Sequence, residues 1–87
     1  RSSLPVKNQE VSKIIAETKK QLIDEGEKVD QINNDLRFGE GKEWFVLIHP
    51  SNTEPVIRVI TEARLDSSAR LYCEATTELI KLVVSRL

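Results

Sequence analysis

From Gln9 to Glu25 the apolar residues fall at Val11, Ile14, Ile15 and Leu22, with Thr18 between them. This is the i, i+3, i+4, i+7, i+11 spacing of one helical face, and it predicts an amphipathic helix. Asn8 is the expected N-cap, Glu10 suits the positive end of the dipole, and Gly26 is the expected stop. After Gly26 the period changes. Val29 and Ile32 lead into the polar cluster Asn33-Asn34-Asp35, and Leu36-Arg37-Phe38 then alternates as a half-buried strand does. Gly39-Glu40-Gly41 tolerates positive φ and predicts a hairpin turn. The run Trp44 to Ile48 is continuously apolar and rich in β-formers, which predicts a central strand. From Val56 to Ala63 alternation returns: Ile57, Val59, Thr61 and Ala63 lie on one face, and Arg58, Ile60 and Glu62 on the other. Asp66-Ser67-Ser68 offers cap oxygens for a last helix, whose predicted apolar stripe is Ala75, Leu79, Leu82 and Val83, flanked by Leu71 and Tyr72.

The order helix, strands, helix predicts an α+β fold. It would be a two-layer sandwich, an antiparallel sheet of about four strands with both helices on one face, in the order α-β-β-β-β-α. Pro5 fixes its own φ, restricts Leu4 and supplies no amide donor, so residues 1–7 are expected to be an extended linker from a preceding domain. Residues 8–87 then form one domain. No internal repeat or low-complexity segment is present.

Length and composition narrow the classes of function. A chain of 87 residues is one small domain, too small to enclose a deep active site, because domains of this size bury only about 60–65 % of the unfolded surface. With 39 % apolar and 31 % charged residues the balance is that of an ordinary globular domain. The net charge of −1 lacks the basic excess of a nucleic-acid binder. Lys19 and Lys20 belong to a solvated helix face. Cys73 is the single cysteine, so no internal disulfide forms and packing alone holds the chain. With one cysteine and one histidine a zinc site is excluded. Cys73 also has no triad partners for catalysis. The sequence carries neither a membrane-length apolar run nor a signal peptide, and we expect no membrane partner and a cytoplasmic, reducing location. The chain opens on Arg1-Ser2-Ser3 and contains no methionine, so a piece of a longer protein is expected.

The chemistry concentrates in His49-Pro50-Ser51-Asn52-Thr53-Glu54-Pro55, between two predicted strands. The two prolines stiffen the loop ends, and a stiff loop loses less entropy on capturing a ligand. Ser51 and Thr53 offer hydroxyls and Asn52 an amide, and the successive backbone N–H groups of residues 51–53 are placed to form a nest for an anion. His49 adds charge if protonated. The same residue types also make an ordinary inter-strand turn, so local chemistry leaves both readings open.

The wider string WFVLIHPSNTEPVIRVITEA resembles the signature of the C-terminal, fourth domain of the α-D-phosphohexomutases, the phosphoglucomutase and phosphomannomutase family. That family carries an apolar strand, R-x-S-[G/N]-T-E-P, and a second apolar strand containing an Arg and closing on E-A. The match falls at Ser51, Asn52, Thr53, Glu54, Pro55, Arg58, Glu62 and Ala63. The preceding D-L-R-F and G-E-G also resemble the family, and the likeness extends from about Gln9 to Leu87.

The resemblance implies an intramolecular phosphotransferase, an isomerase that interconverts hexose 1-phosphate and hexose 6-phosphate through a bisphosphate. Its phosphorylated serine and Mg2+ site lie in other domains, so this piece by itself has no catalytic residue, metal or cofactor and is expected to be inactive. The partners implied are a phosphosugar substrate and the preceding domains. By position Ser51, Asn52 and Thr53 would grip the phosphate that is not being transferred. Such a loop can hold a phosphate at either end of the sugar without reading its stereochemistry, and its binding energy helps orient the reacting end and close the cleft.

Where the family pattern has arginine, this chain has His49. Arginine is a permanently charged fork, whereas histidine offers one donor whose charge depends on pH. His49 either contacts the phosphate, which would favour its protonated form, or merely finishes the strand. Arg58 either reaches toward the loop or pairs with Glu54 or Glu62. Trp44 is expected to pack in the core or at a strand edge. The alternative to a mutase domain is a free-standing α+β interaction module binding protein or nucleic acid through its open sheet face.

Overall fold

The computed structural model describes Arg1–Leu87. Its elements are β1 (Ser2–Pro5), α1 (Val11–Asp24), β2 (Asp30–Ile32), β3 (Asp35–Glu40), β4 (Trp44–Pro50), β5 (Val56–Ala63) and α2 (Asp66–Ser85), with one 3-10 turn at Asn8–Glu10. The strands form one antiparallel sheet in the order β1-β5-β4-β3-β2. The α+β architecture and the central place of Trp44–Ile48 are as the periodicity predicts. The sheet, however, has five strands rather than four. Ser2–Pro5, within the segment expected to be extended, pairs with β5 through Ser2↔Val59 and Leu4↔Ile57. An edge strand accommodates a proline because one side of it needs no ladder donor.

The side chains of the sheet sort by face as the pleat requires. Leu36, Phe38, Val46, Ile48, Ile57 and Val59 are buried on one side and form one cluster with Ile14, Ile15 and Leu22 of α1 and Cys73, Ile80 and Val83 of α2. Burying each large aliphatic side chain contributes about 1.5–3 kcal/mol, and no disulfide supplements this core. At one end of the cluster Trp44 stacks on Tyr72, with ring centroids 4.3 Å apart, and meets Phe38 edge-on at 6.1 Å. The opposite face carries Asp35, Arg37, Phe45, Leu47, His49, Arg58, Ile60 and Glu62 in cross-strand rows. There the Arg37 guanidinium lies 4.6 Å from the Phe45 ring centroid.

Three local expectations are corrected. Asn8 does not cap α1, because it begins the 3-10 turn and the helix starts at Val11 without a side-chain cap. Asp66, Ser67 and Ser68 lie inside α2 rather than capping it; the N-cap is Leu65, which makes no side-chain cap bond. Of the stripe expected for α2, Val83 is buried and Leu79 and Tyr72 pack against the core, but the rest of the buried line is Cys73, Thr76 and Ile80, while Leu71 and Leu82 are more than half exposed and Ala75 faces solvent. The helix is phased this way because small residues meet the sheet where it crosses β5. Thr61 Oγ1 donates to the Ala69 carbonyl at 2.8 Å, and the Cys73 thiol reaches the Val59 carbonyl at 3.9 Å.

The stop of α1 is as predicted. Gly26, at φ 94°, closes a Schellman motif in which Glu27 N–H donates to Leu22 O at 3.0 Å and Gly26 N–H to Ile23 O at 3.0 Å.

Candidate functional site

The register of the sheet builds the site. In the β4–β5 hairpin His49 lies opposite Arg58 and Pro50 opposite Ile57, leaving residues 51–55 as the connecting loop. Ser51 N–H donates to Val56 O at 3.0 Å and closes the loop. Pro55 sits in an inverse γ-turn closed by Val56 N–H to Glu54 O at 2.8 Å. Val6 N–H donates to the Pro55 carbonyl at 2.8 Å and ties the loop to the end of β1. The stiffness expected from the prolines is thus reinforced by main-chain bonds at both ends.

Inside the loop Ser51 Oγ accepts from Thr53 N–H and Glu54 N–H, each at 3.3 Å, and lies 3.4 Å from Thr53 Oγ1. This overturns the expected nest of successive N–H groups. Two of the three backbone donors, those of Ser51 and Thr53, are used internally, and only Asn52 N–H is free. The donors left to face a ligand are Asn52 N–H, the Asn52 side-chain amide and the two hydroxyl protons, all on a surface loop. The 3.4 Å hydroxyl pair is longer than a good O–H···O bond, so an incoming acceptor displaces little.

The loop forms one wall of a hollow of about 610 Å³. A second wall is Asn33, Asn34 and Asp35, where the two-residue turn between β2 and β3 places Asn33 at φ 54°. The third is the start of the first helical segment, Asn8, Val11 and Ser12. On the loop's own side the lining residues are His49, Pro50, Ser51 and Asn52. Polar, mostly uncharged groups therefore converge from three separate segments.

Both basic side chains beside the loop carry an acidic partner. His49 Nδ1 lies 2.8 Å from Asp35 Oδ1, with the two side chains 35 % and 38 % exposed. An ionised carboxylate only accepts, so Nδ1–H donates and Nε2 is the unengaged ring nitrogen. Arg58, on the same open face, reaches Glu54 at 3.5 Å, which is the pairing reading of that residue. Glu62 lies opposite Phe45 on the same face. Sequence reasoning missed Asp35, Asn33, Asn34, Asn8 and Ser12 as neighbours of the loop. Trp44 packs against Tyr72 and Phe38 and takes no part in the hollow. No group of three or more His, Cys, Asp or Glu side chains is placed to hold a metal ion, and no helix is long and apolar enough to cross a membrane.

Comparison with known proteins bears on the same residues. Residues 4–79 match the family model described as phosphoglucomutase/phosphomannomutase, C-terminal domain. The chain is 28 % identical over 86 residues to a probable phosphoglucosamine mutase of Thermococcus gammatolerans, covering 99 % of this chain and 19 % of that protein. It is 31 % identical over 64 residues to the phosphoglucosamine mutase of Staphylococcus saprophyticus, covering 74 % of this chain and 14 % of the relative. A probable phosphoglucosamine mutase of Pyrococcus furiosus is 27 % identical over 86 residues. The chain thus spans no more than about a fifth of the length of these relatives.

Proposed function

Because this chain belongs to the family of the C-terminal domain of phosphoglucomutases and phosphomannomutases, we propose that its β4–β5 loop grips the distal phosphate of a hexose phosphate. The whole enzyme would shift phosphate between the 1- and 6-positions of the sugar through a bisphosphate. Glucosamine phosphate is the sugar suggested by the relatives' names. The observation that carries the reading is that Ser51 and Asn52 line a polar hollow together with His49, with the Thr53 hydroxyl 3.4 Å from that of Ser51.

Neutral donors suit this task. They hold a phosphate without a permanent charge that would slow release, and they read the anion rather than the sugar ring. Binding energy collected at the distal phosphate orients the reacting end and favours closure of the cleft against the other domains. His49 adds a charge-assisted bond when Nε2 is protonated. Arg58 contributes only if it leaves Glu54. Serine phosphorylation and Mg2+ belong to the remainder of the protein, and this chain supplies neither. A cytoplasmic location fits such a metabolic enzyme.

Titrating the isotope-labelled chain with glucosamine 6-phosphate tests the assignment. Amide shifts should appear first at residues 51–53, at millimolar concentration because the other walls of the cleft are missing. Shifts confined to the helices or the open sheet face would instead favour an interaction module.

A further inference from the structure

We propose that Asp35 is a positioning residue for the phosphate site. It holds His49 through Nδ1, so that Nε2 alone is left to meet the anion, and contact with phosphate is thereby tied to the uptake of one proton. The inference rests on the phosphate-binding reading of the loop and deepens it.

Three observations support it. The β3–β4 pairing ends at Leu36↔Ile48, so Asp35 and His49 are the next residues along, and the β4–β5 register sets Arg58 opposite His49 on the open face. The Nδ1···Oδ1 distance is 2.8 Å, at the short end for a charge-assisted or well-formed bond. Asp35 and His49 both line the hollow bounded by Ser51 and Asn52. The charged groups facing the imidazole are Asp35 from β3 and Arg58 from β5, the latter held by Glu54 of the loop. The other polar residues of the hollow, Asn8, Ser12, Asn33 and Asn34, carry no charge.

The chemistry follows from the inventory of ring nitrogens. A neutral imidazole whose Nδ1–H is committed to Asp35 presents a lone pair at Nε2, which repels a phosphate oxygen. After protonation Nε2–H donates and the ring carries a positive charge. A phosphate monoester dianion therefore binds with one proton taken from solvent. A monoanion can deliver its own proton to Nε2, leaving an imidazolium against a dianion. Without the Asp35 acceptor the ring is free to rotate and to hold its neutral-state proton on either nitrogen, and the outward geometry is lost.

Nitrogen-detected NMR of the 87-residue chain, combined with titration by the phosphate monoester glucosamine 6-phosphate, tests this. In the wild type the neutral His49 ring should carry its proton on Nδ1, and phosphate affinity should rise as the pH is lowered toward about 6, where the phosphate begins to lose its second charge. Asp35→Ala should move the ring proton to Nε2, weaken phosphate binding about tenfold and flatten its pH profile. Asp35→Asn keeps an acceptor oxygen of the same shape, so it should retain the Nδ1–H form and lose less affinity. The amide spectrum of the core checks that each variant is folded. Unchanged or tighter binding by Asp35→Ala, with normal shifts at residues 51–53, would overturn the proposal alone and leave the carboxylate as a mere repulsive charge. A wild-type ring protonated on Nε2 would also overturn it. Absence of phosphate-dependent shifts at residues 51–53 in the wild type would overturn the loop reading and this proposal together.

Discussion

Gly39→Ala should be among the most damaging single-methyl changes in this chain, and its cost follows from geometry. Gly39 lies opposite Phe45 at φ 146°, and a Cβ added there would sit 2.3 Å from the Trp44 carbonyl oxygen and 2.7 Å from Phe45 Cα. Both obstacles are backbone atoms of the central strand, so relief requires β3 and β4 to separate. The unfavourable φ costs about 1–3 kcal/mol, and forcing packed backbone apart adds about 1–3 kcal/mol. The expected loss is therefore about 2–6 kcal/mol. A domain of this size has about 4–13 kcal/mol in total, and each kcal/mol shifts Tm by about 4–8 °C.

Thermal unfolding followed by circular dichroism should show Tm falling by about 10–50 °C. Gly26→Ala is the internal control. Gly26 also has positive φ, but nothing lies within 4 Å of its added Cβ, so only the backbone cost of about 1–2 kcal/mol applies. Equal losses for the two variants would refute the argument from close approach. The consequence reaches the site, because the Gly39↔Phe45 pair belongs to the same ladder whose last pair, Leu36↔Ile48, adjoins Asp35 and His49.

Further outcomes are expected elsewhere. Thr18 is fully buried and its hydroxyl has no partner; Thr18→Val should raise the urea midpoint, with a gain of about 1 kcal/mol, and a lowered midpoint would contradict the assignment. Ile80→Ala should cost about 2–5 kcal/mol, whereas Leu82→Lys should stay within about 0.5 kcal/mol; the reverse order in urea unfolding would return the helix to the phase its sequence suggests. Ser51→Ala removes the oxygen that accepts from Thr53 and Glu54 N–H. It should speed hydrogen exchange at those amides and weaken inorganic phosphate binding about threefold to tenfold, and unchanged exchange at both amides would show that the hydroxyl does not organise the loop.

The parts of the fold legible in the sequence are those where one kind of side chain marks the face. Ile14, Ile15, Thr18 and Leu22 give α1 its buried line, and the alternation from Val56 to Ala63 gives both faces of β5. The phase of α2 was hidden because its sheet-facing positions include Cys73 and Thr76, which weigh little as apolar residues but fit a close crossing. Leu71 and Leu82 draw the apolar stripe toward solvent instead. β1 was hidden for a different reason: Pro5 reads as an interruption, although an edge strand tolerates it.

For the site, the residue types of Ser51, Asn52 and Thr53 pointed to anion chemistry, but the use of Ser51 Oγ as an internal acceptor depends on loop geometry that residue types do not specify. Asp35 was missed because of register. A turn placed at residues 39–41 sets a different partner opposite His49, whereas the closing pair is Glu40↔Trp44, with the turn at residues 41–43.

The central claim is that the β4–β5 loop holds a sugar phosphate, and a crystal structure of the chain grown with saturating glucosamine 6-phosphate tests it most directly. The account predicts the phosphate in the hollow between Asn33–Asp35 and His49–Asn52, accepting from Asn52 N–H and from the Ser51 or Thr53 hydroxyl. Phosphate density on another surface, with this hollow holding only solvent, would contradict it.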